Sequence, residues 1–148
     1  MDHDSYSDAY LKEVLEDTQL IALVGASNKV HRASYSVMRY MQSKGYRVIP
    51  VNPQLTGQEI LGETVVERLE DIDSQINMVD IFRNSEAAGP VTDNAIAVDA
   101  KSVWMQIGVR NDTAAKRAEA AGLRVVMDRC PKIEIPRLFP SLIRAERL

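Results

Sequence analysis

Gly25-Ala26-Ser27-Asn28, set directly after the apolar run Leu20-Ile21-Ala22-Leu23-Val24, is the arrangement in this chain best suited to holding a phosphate. A glycine at the end of a buried strand lets backbone approach a diphosphate, and a helix beginning beyond it adds free amides and a dipole. Lys29, His31 and Arg32 follow at once and put positive charge beside the loop. On charge alone they read equally well as a solvated surface, so position is what favours phosphate contact. The loop is not the full dinucleotide fingerprint: G-x-G-x-x-G requires glycine at positions 27 and 30, where the chain has Ser27 and Val30.

A second discrimination comes from Pro50-Val51-Asn52-Pro53. Proteins that use NAD usually place Asp or Glu at the end of the second strand, against the ribose hydroxyls. No carboxylate stands there, so standard NAD binding is disfavoured. NADP is less excluded, because Lys29 or Arg32 can meet a 2′-phosphate. The two prolines make a rigid apolar rim suited to a flat adenine ring.

Other reactive side chains are sparse. Cys130 follows Arg129, whose cation favours a thiolate; a half-buried structural cysteine is the preferred reading, with a mixed disulfide to a cofactor thiol as the sharper one. Trp104 reads as a core aromatic before a stacking platform. Asp80 and Asp128 are expected to bond loop amides rather than form a catalytic pair, and Arg83, ending an apolar strand, needs a phosphate or Asp80 as partner. His3 is expected in a frayed terminus. The chain has no P-loop, no H-E-x-x-H and no Cys/His cluster for zinc.

The elements that must position these residues follow from hydrophobic period. Tyr6, Tyr10, Leu11, Val14 and Leu15 lie at helical spacing within residues 4–18. Apolar runs then alternate with helical stripes: strands at 20–24, 46–51, 78–82, 102–107 and 123–127, and helices capped by Ser34 and stopped by Gly45, within 85–98, and over 112–121. Residues 58–62 read as a short extended piece and 66–69 as a weak helix. From Pro131 onward, with Pro136 and Pro140, the chain reads as short helix and irregular wrap. The expected fold is α/β: a Rossmann-like parallel sheet of about five strands with helices on both faces, in one domain over residues 1–148. Its special residues fall at strand carboxyl ends, where open parallel sheets bind ligands.

Composition agrees. With 148 residues, 45% hydrophobic and 26% charged, the chain suits one globular domain. A net charge of −3 and the lack of a basic recognition helix argue against nucleic acid as a partner. No apolar run is long enough to span a bilayer, and the acidic start is unlike a secretory signal, so no membrane partner and a cytoplasmic location are expected. A single cysteine fits a reducing compartment.

In order along the chain, Val24-Gly25-Ala26-Ser27, Arg32-x-Ser34-Tyr35, Gly45-Tyr46-x-Val48-Ile49-Pro50-Val51-Asn52-Pro53, Ile60-Leu61-Gly62, Val79-Asp80-Ile81-Phe82-Arg83, Val103-Trp104-x-Gln106-x-Gly108 and Asp128-Arg129-Cys130 form a recognisable series. With them the chain resembles the small bacterial CoA-binding domain proteins, similar to the N-terminal nucleotide domain of the succinyl-CoA synthetase α subunit. The resemblance covers about residues 20–138 and implies coenzyme A as cofactor. It implies Gly25, Ala26 and Ser27 at the diphosphate with Arg32 and Ser34 nearby, beside Lys29 of the basic cluster already noted. Val51, Asn52 and Pro53 would border the adenosine, and Phe82, Arg83, Gln106 and Gly108 would line the pantetheine side; Cys130 joins the site as the residue that a mixed disulfide with the cofactor thiol would use. The synthetases carry a phosphorylated histidine in a further domain, which neither His3 nor His31 replaces.

The expected function is therefore noncatalytic binding of coenzyme A or an acyl-CoA, as carrier, sensor or regulatory partner. The alternatives are an NAD(P)-binding oxidoreductase and a redox-regulatory interaction module. A homodimer is the expected assembly, as the commonest symmetric one.

Overall fold

Leu20-Ile21-Ala22-Leu23-Val24 is buried at every position, as an apolar run without polar alternation requires of a strand covered on both faces. It forms β1 (Leu20–Val24), and the remaining strands are β2 (Arg47–Val51), β3 (Glu59–Ile60), β4 (Glu63–Thr64), β5 (Met78–Ile81), β6 (Ser102–Met105) and β7 (Arg124–Val126). The helices are α1 (Asp8–Glu16), α2 (Ala33–Ser43), α3 (Ala88–Ala97), α4 (Asp112–Ala120) and α5 (Pro131–Leu138). This is a computed structural model, and it describes residues 1–141. The end of the expected wrap, from Leu142 onward, lies outside the described residues.

Five strands form one sheet in the order β2-β1-β5-β6-β7, every neighbouring pair parallel. The fold is the expected α/β Rossmann-like sheet with helices on both faces. One face packs Ala22, Val24, Val79, Ile81, Val103 and Met105 against the alanines and valine of α3 and α4. The other packs Ile21, Leu23, Met78, Trp104 and Val126 against the apolar stripes of α1, α2 and α5. The small residues Ala114, Ala115 and Ala118 let α4 lie close to the sheet.

The strand order reverses at β1. From β1 the chain goes outward to β2, then returns past β1 to β5 and proceeds the other way. The loops after β1 and β5 consequently lead to helices on opposite faces and leave a crevice between them. Gly45 ends α2 with a φ of +91°, as expected of a glycine past a helix C-terminus.

Several local expectations are corrected. Ser34 does not cap α2; Arg32 holds the cap position without a side-chain bond, and Ser34 is buried inside the first turn. Residues 66–69 are not a helix. Val66 pairs with Val51 in a parallel bridge, and only a single 3-10 turn, Leu69–Asp71, follows. The spacing of Val65, Val66 and Leu69 suits a helix, but two β-branched residues facing an open strand edge gain more from its hydrogen bonds. His3 is not frayed: it is buried, with Nδ1 at 2.6 Å from the Tyr6 hydroxyl and Nε2 at 3.1 Å from Glu119.

The N-terminal segment closes the outer edge of β7. The Tyr10 hydroxyl donates to the Val125 carbonyl at 2.8 Å and accepts from its amide at 3.0 Å. The Tyr6 hydroxyl accepts from the Met127 amide at 2.9 Å, and the Tyr6 and Tyr10 rings stack. Burial pushes the Tyr10 phenol up to about 12, so it stays a donor at neutral pH.

Candidate functional site at the switch point

Gly25 adopts a φ of +90°, and a Cβ built on it would stand 2.4 Å from the Phe82 carbonyl oxygen. Glycine is needed here because the turn after β1 lies directly on the end of β5. The amides of Gly25 and Ala26 both donate to the Val51 carbonyl, at 3.1 and 3.4 Å. The Asn52 side chain clamps the same turn by donating to the Ala26 carbonyl at 2.8 Å. With those two amides engaged, donors for an anion come from the first turn of α2, where Ala33, Ser34 and Tyr35 lack intrahelical acceptors.

Two clefts meet at this turn. The larger, about 540 Å³, lies toward α3, with apolar walls from Val24, Val51, Pro53, Leu69 and Val91 and polar groups from Asn52, Gln54 and Asn94. The smaller, about 390 Å³, lies toward α2 and is lined by Ala26, Ser27, Lys29, Arg32, Ser34 and Phe82. Gly25, Asn52 and Gln54 belong to both. Residues alternate sides at the end of β5, so Phe82 enters the smaller cleft and Arg83 the larger.

Charge is concentrated where it is least neutralised. Lys29, Arg32 and Arg83 make no ion pair with any described residue, whereas Arg47, Arg110, Arg117, Arg124 and Arg137 do. Arg83 does not reach Asp80, and its Cδ lies over the Gly25 turn.

Asp80 departs furthest from expectation. It is fully buried in β5 between Leu23 and Trp104, and neither carboxylate oxygen has a partner among the described residues. It bonds no loop amide. Burial pushes its carboxyl well above the usual carboxylate range, which favours the protonated form. Asp128 behaves as expected, accepting from the Gly108 amide at 2.7 Å. Trp104 is a core residue whose Nε1 donates to the Arg129 carbonyl at 3.0 Å.

Of the residues singled out from sequence, Gly25, Ala26, Ser27, Lys29, Arg32, Ser34, Val51, Asn52, Pro53, Phe82 and Arg83 are brought together around the two clefts. Gln106, Gly108 and Cys130 line neither. Gln106 is buried on the Phe82 side of the sheet, its Oε1 without a partner, and Cys130 is buried at the start of α5 in that face's core. Sequence reading missed Glu67, Arg68, Leu69 and Asn94. Glu67 and Arg68 were hidden by the misread segment after β4, so the rim beside β2 is not acid-free.

A family profile described as "CoA binding domain" matches residues 19–136. The uncharacterized protein YneT of Bacillus subtilis is 39% identical over 127 residues, 86% of this chain and 93% of that protein. A solved structure from Thermus thermophilus, described as cell-free ID.343, superimposes with a TM-score of 0.86 at 36% identity, covering 90% of this chain and all of that one. A dinucleotide-forming acetyl-coenzyme A synthetase of Ca. Korarchaeum cryptofilum shares the fold, with a TM-score of 0.68 at 23% identity over 79% of this chain and 27% of the synthetase.

Proposed function

The chain belongs to the CoA binding domain family, and from that premise we propose that it binds coenzyme A or an acyl-CoA across the Gly25 turn without catalysing a reaction. The observation that carries this reading is the meeting of two unlike clefts at one tight turn. The larger, apolar-walled cleft suits adenosine between Val51, Pro53, Leu69 and Val91. The turn, with the first amides of α2 and with Lys29, Arg32 and Arg83, which form no ion pair among the described residues, suits the diphosphate. The smaller cleft leads the pantetheine arm past Ser34 and Phe82, toward Gln106, Gly108 and Cys130. We assign the site a carrier, sensor or regulatory role and place the protein in the cytoplasm as a homodimer.

One observation favours a second reading. Glu67 at the larger cleft supplies a carboxylate near the end of β2, the position from which acidic residues bind the ribose of NAD. Thermal shift with CoA, dephospho-CoA, NAD and NADP in parallel separates the two. CoA at a hundred times its dissociation constant should stabilise the fold by about 2.7 kcal/mol, with no comparable effect of NAD. A shift with NAD and none with CoA would overturn the CoA reading.

A further inference from the structure

In dinucleotide folds the charge that tells one ribose from another stands at the end of the second strand. Here β2 ends on Val51, followed by Asn52 and Pro53, and its carboxyl end carries no charge of its own. The chain brings charge to that place by another route. After the β3–β4 hairpin, the Val66 amide donates to the Pro50 carbonyl at 3.0 Å, and the Asn52 amide donates to the Val66 carbonyl at 3.0 Å. Val66 therefore runs parallel to β2 beyond its outer edge, and the next two residues, Glu67 and Arg68, emerge at the carboxyl end beside Asn52.

Arg68 is the cation of this rim that is free to change partners. Its contacts with Glu70 and Asp71 are long, 4.0 and 3.6 Å, and its side chain is 61% exposed. Such pairs contribute little and are readily exchanged for a doubly charged anion. The basic pair Lys29 and Arg32, by contrast, lies in the other cleft, across the Gly25 turn.

Resting on the CoA reading above, we propose that Arg68 is the specificity-determining residue for the 3′-phosphate of the ribose. The phosphate is bonded directly to the ribose that carries adenine. With adenine against Val51, Pro53 and Leu69, the 3′-phosphate stays in the larger cleft and meets Arg68 at its rim. The 5′-diphosphate leaves the same ribose toward Gly25, Arg83 and the start of α2. Glu67 next to Arg68 faces the unphosphorylated hydroxyl, and it opposes a phosphate placed anywhere but on the arginine.

The test is calorimetric titration of the full chain, its Arg68→Gln variant and its Arg32→Ala variant with CoA and with dephospho-CoA at one fixed ionic strength. The wild type should prefer CoA by about tenfold, and Arg68→Gln should weaken CoA about fivefold or more while changing dephospho-CoA less than about twofold. Arg68→Lys should restore part of the preference, and the ligand-free melting temperature of Arg68→Gln should stay near that of the wild type. Equal weakening of both ligands by Arg68→Gln would overturn the proposal, as would a preference erased by Arg32→Ala and kept in Arg68→Gln. A wild type that binds both ligands equally would overturn it and leave the CoA reading standing. A wild type that binds neither would overturn both.

Discussion

Asp80 shows how far one residue can depart from the rule that buried charge is paired. Nothing among the described residues bonds its carboxyl, and burial raises its pKa and favours the neutral form. Its folded pKa is raised, so the folded state binds more protons than the unfolded one above the ordinary carboxylate range. Stability is therefore greatest at low pH with respect to this group, and falls as pH rises toward the folded value. The slope is at most about 1.4 kcal/mol per pH unit for one proton. Asp80→Asn removes the proton uptake and keeps the shape. Its melting temperature should exceed that of the wild type at pH 7, with the gain shrinking to near zero by about pH 4. A gain independent of pH would show that Asp80 is not the titrating group. Sequence reading failed here for a physical reason. An Asp near a strand end is ordinarily solvated, and nothing in Val79-Asp80-Ile81 tells which face it takes or that Trp104 covers it.

At the scale of elements, the five parallel strands and their helices were legible because each is a mainly apolar run or a helical stripe, several of them bounded by glycine or proline. Ser7 and Asn111, which were not picked out from sequence, cap α1 and α4. What was not legible depends on partners distant in sequence. Val66 is extended because Pro50 and Asn52 offer it hydrogen bonds, and His3 is buried because Glu119 lies beside it. The larger cleft lost Glu67 and Arg68 to that same blindness, while the glycine turn and the β2 rim, being local motifs, were found. The tyrosine cap of β7 can be checked directly. Tyr10→Phe keeps the ring and removes two hydrogen bonds to Val125, and it should cost about 1–2 kcal/mol in urea unfolding, the Val125 amide and carbonyl losing their partner. A loss below about 0.5 kcal/mol would show that water satisfies the edge equally well.

On the scale of the whole molecule, the crevice is a product of strand order, since α2 and α3 leave β1 and β5 toward opposite faces. Both faces are packed cores, and the Gly25 turn is fixed to β2 by three hydrogen bonds. Ligand therefore enters a surface already in place, and small-angle scattering should give the same radius of gyration with and without saturating CoA. A contraction on binding would reveal a closing motion that the packing does not suggest. The two rims of the sheet carry a different message. At one rim the tyrosines occupy the groups on β7 that another strand would need; at the other, Val66 occupies part of β2. With these edge groups already engaged, lengthening of the sheet by a neighbour's backbone is disfavoured. Copies of this chain that come together are steered toward contacts between helices or loops, and the same engagement of edge groups guards a largely apolar sheet against fibrous self-assembly.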